Sequence, residues 1–244
     1  MCATCGCSDD AGVRVNGHGH GHEDRLVVLE QKVLARNDHL AEHNRTWLAE
    51  RDVVAVNLMS SPGSGKTTLL ERTIRELGGA VSVVEGDQET EFDADRIRAT
   101  GAPVVQVNTG AGCHLDADML ARALRSLDPV PGSVVFVENV GNLVCPALFD
   151  LGEQHRVVVM SVTEGADKPL KYPHMFRTAD VVVLNKTDLL PYVEFDSSRF
   201  VGSVSQVNEH ARVIGVSATR GDGIPDWYGW LREAVTSTGS AIPG

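Results

Sequence analysis

The chain has 244 residues, and its 33 acidic against 22 basic side chains give a formal charge of −11 at neutral pH. With 42% hydrophobic and 23% charged residues, the composition is that of a folded globular protein of one or two domains, which excludes a globally disordered or fibrous chain. The acidic balance argues against a nucleic-acid partner held by phosphate contacts, and no apolar run has the length of a membrane span or a signal-peptide core, so a cytoplasmic protein without a membrane partner is expected.

Residues 1–22, MCATCGCSDDAGVRVNGHGHGH, lack apolar periodicity and concentrate Cys, Gly and His. They cannot build a core and read as a flexible metal-binding arm. Five cysteines are too few and too unevenly placed for a disulfide framework; three of them, Cys2, Cys5 and Cys7, stand close enough to converge on one ion, with the Met1 α-amine as a fourth ligand. A planar nitrogen and thiolate set suits Ni(II) or Cu(II) and a tetrahedral one suits Zn(II); the spacing does not choose. His18, His20 and His22 add accessory imidazoles of the same preference. A stray tail or a zinc-only knuckle is the plainer alternative.

Over 23–51, apolar residues at Leu26, Leu29, Val33, Leu40 and Trp47 recur at a helical period, which predicts a long amphipathic helix leading into the domain. Residues 52–244 then alternate Val-rich runs with helical patterns. Strands are expected near 53–59, 81–85, 103–107, 133–138, 156–161, 180–184 and 212–216, and helices near 66–77, 93–99, 115–127 and 225–235. Continuous apolar strands separated by helices predict a doubly wound α/β domain with a mainly parallel sheet, whose ligands bind beyond the carboxyl ends of the strands.

Motifs fall at those ends. Ser60-Ser61-Pro62-Gly63-Ser64-Gly65-Lys66-Thr67-Thr68 follows the first strand and opens a helix. Its glycines let backbone N–H groups turn toward phosphate oxygens, Lys66 supplies a cation for the β- and γ-phosphates, and the Thr67 hydroxyl can ligate Mg2+. The usual pattern starts with Gly where Ser60 stands here. Asn185-Lys186-Thr187-Asp188 follows a later strand; the Asp188 carboxylate can accept from guanine N1–H and the 2-amino group, which selects GTP over ATP, and Ser217-Ala218 follows the next strand to complete the base site.

Between them, Glu85-Gly86-Asp87 and Glu138-Asn139-Val140-Gly141 read as switch segments. Asp87 and Glu138 are the candidate Mg2+-linked carboxylates beside Thr67, Asp87 also positions water, and Lys66 and Asp87 form the catalytic pair. Strand-end carboxylates with no such role are the plain alternative. No arginine stands out as a finger acting within the chain, which predicts slow turnover. Cys113, His114 and Cys145 emerge at the same sheet edge and can meet as a metal site of two thiolates and one imidazole, although isolated cysteines are usually inert small hydrophobes. His39, His43, His155, His174 and His210 show no ligand spacing and are expected to be surface or structural.

Taken together, MCATCGC, SSPGSGKTTLL, EGDQET, NTGAGCHLDA, ENVGNLVCPA, TEGADKPLKYPHMF and NKTD resemble the HypB family of hydrogenase-maturation GTPases across nearly the whole chain. The resemblance implies a SIMIBI-class P-loop GTPase that forms a homodimer with nucleotide and helps insert nickel into the [NiFe]-hydrogenase large-subunit precursor, with a zinc-binding HypA-type nickel chaperone as helper. Its cofactors would be GTP/GDP, Mg2+ and Ni2+, with Zn2+ as a further metal. By resemblance, the high-affinity nickel site falls on Cys2, Cys5 and Cys7, and the weaker G-domain nickel or zinc site on Cys113, His114 and Cys145. Ser60 resembles the family's own variant of the phosphate loop. Lys168 or Lys171 would lie near the guanine of the partner subunit, and the short histidine arm does not suit nickel storage. Two rival readings are a nickel reservoir or sensor whose nucleotide site is structural, and a nickel GTPase of the urease type.

Overall fold

A computed structural model describes residues 20–87, 92–110 and 112–237. Cys2, Cys5, Cys7 and His18 lie outside the described residues. Seven strands, β1 (Val54–Ser60), β2 (Val81–Asp87), β3 (Val104–Asn108), β4 (Val134–Gly141), β5 (His155–Ser161), β6 (Val181–Asn185) and β7 (Arg212–Gly215), pair in parallel in the order β3-β2-β4-β1-β5-β6-β7. The helices are α1 (His20–Ala49), α2 (Lys66–Leu77), α3 (Phe92–Arg98), α4 (Ala117–Leu127), α5 (Lys168–Lys171), α6 (Pro173–Arg177), α7 (Ser197–Val207) and α8 (Ile224–Ser237).

The sheet is covered on both faces, as uninterrupted Val-rich strands require. Val54, Val56 and Leu58 join α2, α3 and α8 through Leu69, Leu70, Ile97, Trp227 and Leu231 in one apolar layer. Ala55 turns to the other face, where Leu48 of α1 meets Leu120 and Leu124 of α4. Met59 continues that face toward Phe176 of α6 and Phe200 of α7. The chain passes to one side of β1 for β2, β3 and β4 and to the other for β5, β6 and β7. That reversal places a ligand crevice at the carboxyl end of β1. Among the described residues no helix is long and apolar enough to cross a membrane.

Three expectations are corrected. Helix α1 begins at His20, so the expected arm 1–22 gives its last three residues, His20 and His22 included, to the helix. Strands β2 and β4 outrun their expected ends at 85 and 138, because Gly86 and Asp87 still pair with Val107 and Asn108, and Gly141 with Ser60. Glu85 and Glu138 therefore sit inside paired, buried strand rather than in loops. The unexpected α7 is capped by Asp196, whose side chain accepts from the Arg199 N–H, and it buries Phe200, Ser203 and Val204.

Candidate functional site

The phosphate loop is built by the turn from β1 into α2. Gly63 and Gly65 take the left-handed conformation at φ +73° and +95°, open to glycine at no steric cost. A Cβ on Gly65 would stand 2.5 Å from Asn185 Nδ2, so glycine is also required by the close approach of the base-binding loop. Lys66 begins α2, and its Nζ donates to Ser60 Oγ at 2.8 Å, so the departure from the usual first glycine supplies a tether for the lysine. Gly63, Ser64, Gly65, Lys66, Thr67, Thr68, Glu138 and Lys186 converge on one cleft of about 330 Å3. The same cleft is lined by Asp93 and Arg96 of α3, which no sequence motif marks. Arg96 donates to Thr68 Oγ1 at 3.1 Å and pairs with Glu71 and Asp93, so one guanidinium does stand at the phosphate end.

The residues expected to bind the base assemble beside it. Asn185 Nδ2 donates to the Ser64 carbonyl at 3.0 Å, and its Oδ1 accepts from the N–H groups of Lys186 and Ala218 at 2.7 and 3.1 Å. Lys186, at φ +62°, sends its Nζ to the Gly63 carbonyl at 2.7 Å. Ser217 Oγ donates to Asp188 Oδ1 at 2.6 Å and orients that carboxylate. Lys168 and Lys171 are held within their own segment, by Glu164 at 3.9 Å and Asp167 at 2.8 Å.

Two acidic residues lie under the cleft. Glu85 and Glu138 are register partners on β2 and β4, and each keeps a buried Oε2 without a hydrogen bond. Burial, reinforced by the charges of Glu138 and Asp87, pushes the Glu85 carboxyl up to about 8. Burial also raises Glu138, against the pull of Lys66 and of Thr67, whose Oγ1 donates to Glu138 Oε1 at 2.6 Å. A hard divalent cation takes oxygen ligands of this type, so Thr67 and the orphaned Glu138 oxygen fit Mg2+. Asp87 ends β2 and is not among the side chains lining the cleft.

Cys113, His114 and Cys145 meet: their ligating atoms all lie within 4.8 Å of one another, with the two sulfurs 2.8 Å apart and no disulfide between them. Both cysteines are buried, and the His114 ring stacks on Phe149 at 3.9 Å between centroids. Burial lowers the His114 pKa despite Asp116 nearby, which favours the neutral, ligating imidazole. Thiolate and imidazole donors suit Zn2+, Ni2+ and Cu2+ and not Mg2+.

The two sites share one piece of chain. From Glu138 on the Thr67 hydroxyl, β4 continues to Asn139, which is buried and whose Oδ1 accepts from the N–H groups of Leu115 and Val140 at 3.2 and 3.0 Å. Leu115 adjoins His114 and fills the space over Gly86, where a Cβ would stand 2.7 Å from it. Gly141 rests on Pro62 of the phosphate loop, where a Cβ would stand 3.1 Å from the Pro62 backbone, tighter than ordinary contact. Asn142 Oδ1 then accepts from the N–H groups of Val144 and Cys145 at 2.7 and 3.4 Å. A displacement at the phosphate loop thus has a contiguous, packed route to both halves of the cysteine cluster.

Residues 54–215 match the family model described as CobW/HypB/UreG, nucleotide-binding domain. The chain is 54% identical over 213 residues to the hydrogenase maturation factor HypB of Azotobacter chroococcum, covering 86% of this chain and 70% of that one. The crystal structure of the hydrogenase maturation factor HypB from Archaeoglobus fulgidus matches with TM-score 0.77 and 40% identity over 82% of this chain and 99% of the other. HypB from Helicobacter pylori, solved in complex with nickel, matches with TM-score 0.79 and 35% identity over 86% and 99%.

Proposed function

Because the chain belongs to the CobW/HypB/UreG family, we propose that it is a GTP-hydrolysing nickel metallochaperone that assists GTP-dependent nickel insertion into the large-subunit precursor of a [NiFe]-hydrogenase. It acts in the cytoplasm as a homodimer formed with nucleotide, and takes nickel from, or shares it with, a HypA-type zinc-binding chaperone. The observation that carries the reading is the unbroken stretch from Glu138 through the end of β4 at Gly141 to Cys145, which puts the carboxylate on Thr67 and one thiol of the thiolate-imidazole cluster on one strand and its following loop.

Asp188, Asn185, Lys186, Ser217 and Ala218 bind the guanine base. The backbone of Gly63 to Thr68 and the Lys66 ammonium hold the phosphates. Lys66 leaves Ser60 for the β- and γ-phosphate oxygens, where it offsets the charge that builds as the γ-phosphoryl departs. Thr67 and Glu138 would hold Mg2+, with Asp87 as the further candidate carboxylate, and the ion would supply further charge neutralisation there. Asp87 orients the attacking water. Arg96, already at Thr68, is placed to reach the same phosphates. Loss of the γ-phosphate lets Gly141 move on Pro62; Asn139 and Asn142 carry the shift to Leu115 and Cys145, and the Cys113, His114 and Cys145 ligands part enough to release nickel. The arm residues Cys2, Cys5 and Cys7, with His18, His20 and His22 as accessories, hold a separate nickel ion, and zinc is the competing metal at both cysteine sites.

The test is GTP hydrolysis by the wild type and by Lys66→Ala, with bound nickel counted in both. The expected result is a fall in turnover of about 100-fold or more, the usual cost of losing one charge-stabilising donor, with nickel retained at the arm. Hydrolysis that survives the substitution contradicts the assignment.

A further inference from the structure

Outside the nucleotide and cysteine sites, α1 carries His39 and His43 one helical turn apart, which corrects the expectation that these two histidines have no ligand spacing. Residues at i and i+4 lie on one helix face, the spacing by which paired histidines chelate a metal. Their Nε2 atoms stand 3.2 Å apart, with the rings edge-on at 4.6 Å between centroids and 80° between planes. Two nitrogens at that separation, within hydrogen-bond distance of each other without a metal, match the spacing of adjacent ligands on a single first-row metal ion with Nε2 bonds near 2.0–2.1 Å. The pair is exposed, whereas Asn37, Ala41, Asn44 and Leu48 bury the opposite face of α1.

The platform is rigid. Asn37 donates to the Asp150 carbonyl at 2.7 Å and accepts from the Ala117 N–H at 2.9 Å, and Asn44 donates to the Ala117 and Leu151 carbonyls at 2.8 and 2.9 Å. The Asp38 carboxylate on the same helix and the overall acidity of the chain favour a cation there.

We propose that His39 and His43 form a further, surface metal site on this chain, distinct from both cysteine sites, binding one borderline divalent transition-metal ion, Ni2+ or Zn2+, through both Nε2 atoms, with water in the other positions. The site goes beyond the GTP-linked function and does not depend on it. His39-Leu40-Ala41-Glu42-His43 also has the form of a zinc-peptidase H-x-x-E-H motif. Hydrolysis is not its chemistry: Glu42 is engaged by Arg45 at 2.5 Å, and among the described residues no third His, Cys or carboxylate closes on the pair. Two protein ligands and open water positions make a site that binds and exchanges its metal readily.

The experiment is a Ni2+ titration of the full reduced chain, read by equilibrium dialysis and by paramagnetic broadening of the histidine ring signals in NMR. After the thiol sites fill, one further equivalent is expected, broadening His39 and His43 together. His39→Asn and His43→Gln should each weaken that equivalent by about 100-fold, since the second imidazole acts at high effective concentration, and both exposed positions leave the fold intact, as circular dichroism checks. Replacing His18, His20 and His22 with Asn should leave it in place. Unchanged binding in either single variant, or loss of the equivalent only with the arm histidines, overturns the proposal.

Discussion

In the proposed base site, the choice of base at Asp188 turns on lone pairs. Ser217 holds one oxygen of the carboxylate, and the group still offers acceptors to guanine N1–H and the 2-amino group. Asp188→Asn turns one acceptor into a donor facing the guanine amino group, so GTP should bind roughly 10–100-fold more weakly while a xanthine nucleotide, with an oxygen at that position, gains in relative affinity. Competition of the two nucleotides against a fluorescent analogue checks it; an unchanged GTP preference removes Asp188 from base recognition. Glu85 makes a pH prediction. Its carboxyl, raised to about 8 in the folded protein from an ordinary value of 4.5, is held protonated by the fold. A raised folded pKa contributes stability that is complete below the unfolded value and is lost as pH rises toward 8, because the unfolded chain gives up the proton first. Thermal melts without metal or nucleotide should therefore show stability falling between about pH 5 and 8, and Glu85→Gln should reduce that slope, leaving the share carried by Glu138, which burial raises as well. A slope unchanged in the variant places the proton elsewhere.

At the scale of elements, β4 is the part whose order matters most. Asn139→Ala leaves the Leu115 N–H buried without its acceptor, a loss of about 1–3 kcal/mol, which appears as a drop of a few degrees in melting temperature. The same variant should loosen the response of the Cys113, His114 and Cys145 cluster to nucleotide while GTP still binds; calorimetry of nickel with each nucleotide separates the two effects. The positions of β1 to β7 are legible because each is an apolar run bounded by turn residues, and the Ser60–Thr68 and Asn185–Asp188 motifs are legible because their residue types admit few other uses in that order. The less legible features have physical reasons. Glu85 and Glu138 interrupt apolar runs, which marks strand ends there, whereas ladder pairing carries the strands on to Asp87 and Gly141. Helix α7 is rich in Ser with a central Gly202, and only the Phe200, Val204 and Val207 spacing behind the Asp196 cap marks it. Arg96 belongs to no motif and reaches the cleft only because α3 packs beside α2. The His39 and His43 spacing is present in the sequence, but it stands among histidines that have none, and only the approach of the two rings sets the pair apart.

At the scale of the molecule, α1 closes the design. Asn37 and Asn44 reach the start of α4, just after His114, and the segment at Asp150 and Leu151, just after Cys145. Both loops of the cysteine cluster are thereby tied on their far sides, and in the proposed mechanism motion at the cluster is steered from the phosphate side through Glu138, Asn139 and Gly141. Thermodynamic linkage makes the coupling reciprocal: a factor by which nucleotide changes nickel affinity is the factor by which nickel changes nucleotide affinity. The most direct measurement is nickel binding to the reduced full chain with Cys2, Cys5 and Cys7 replaced by Ser, titrated once with GDP and once with a non-hydrolysable GTP analogue. Nickel binding is expected to be weaker in the GDP state by roughly 5–150-fold, the usual range of such coupling, with the difference lost in Asn139→Ala. Equal affinity in the two nucleotide states would contradict it.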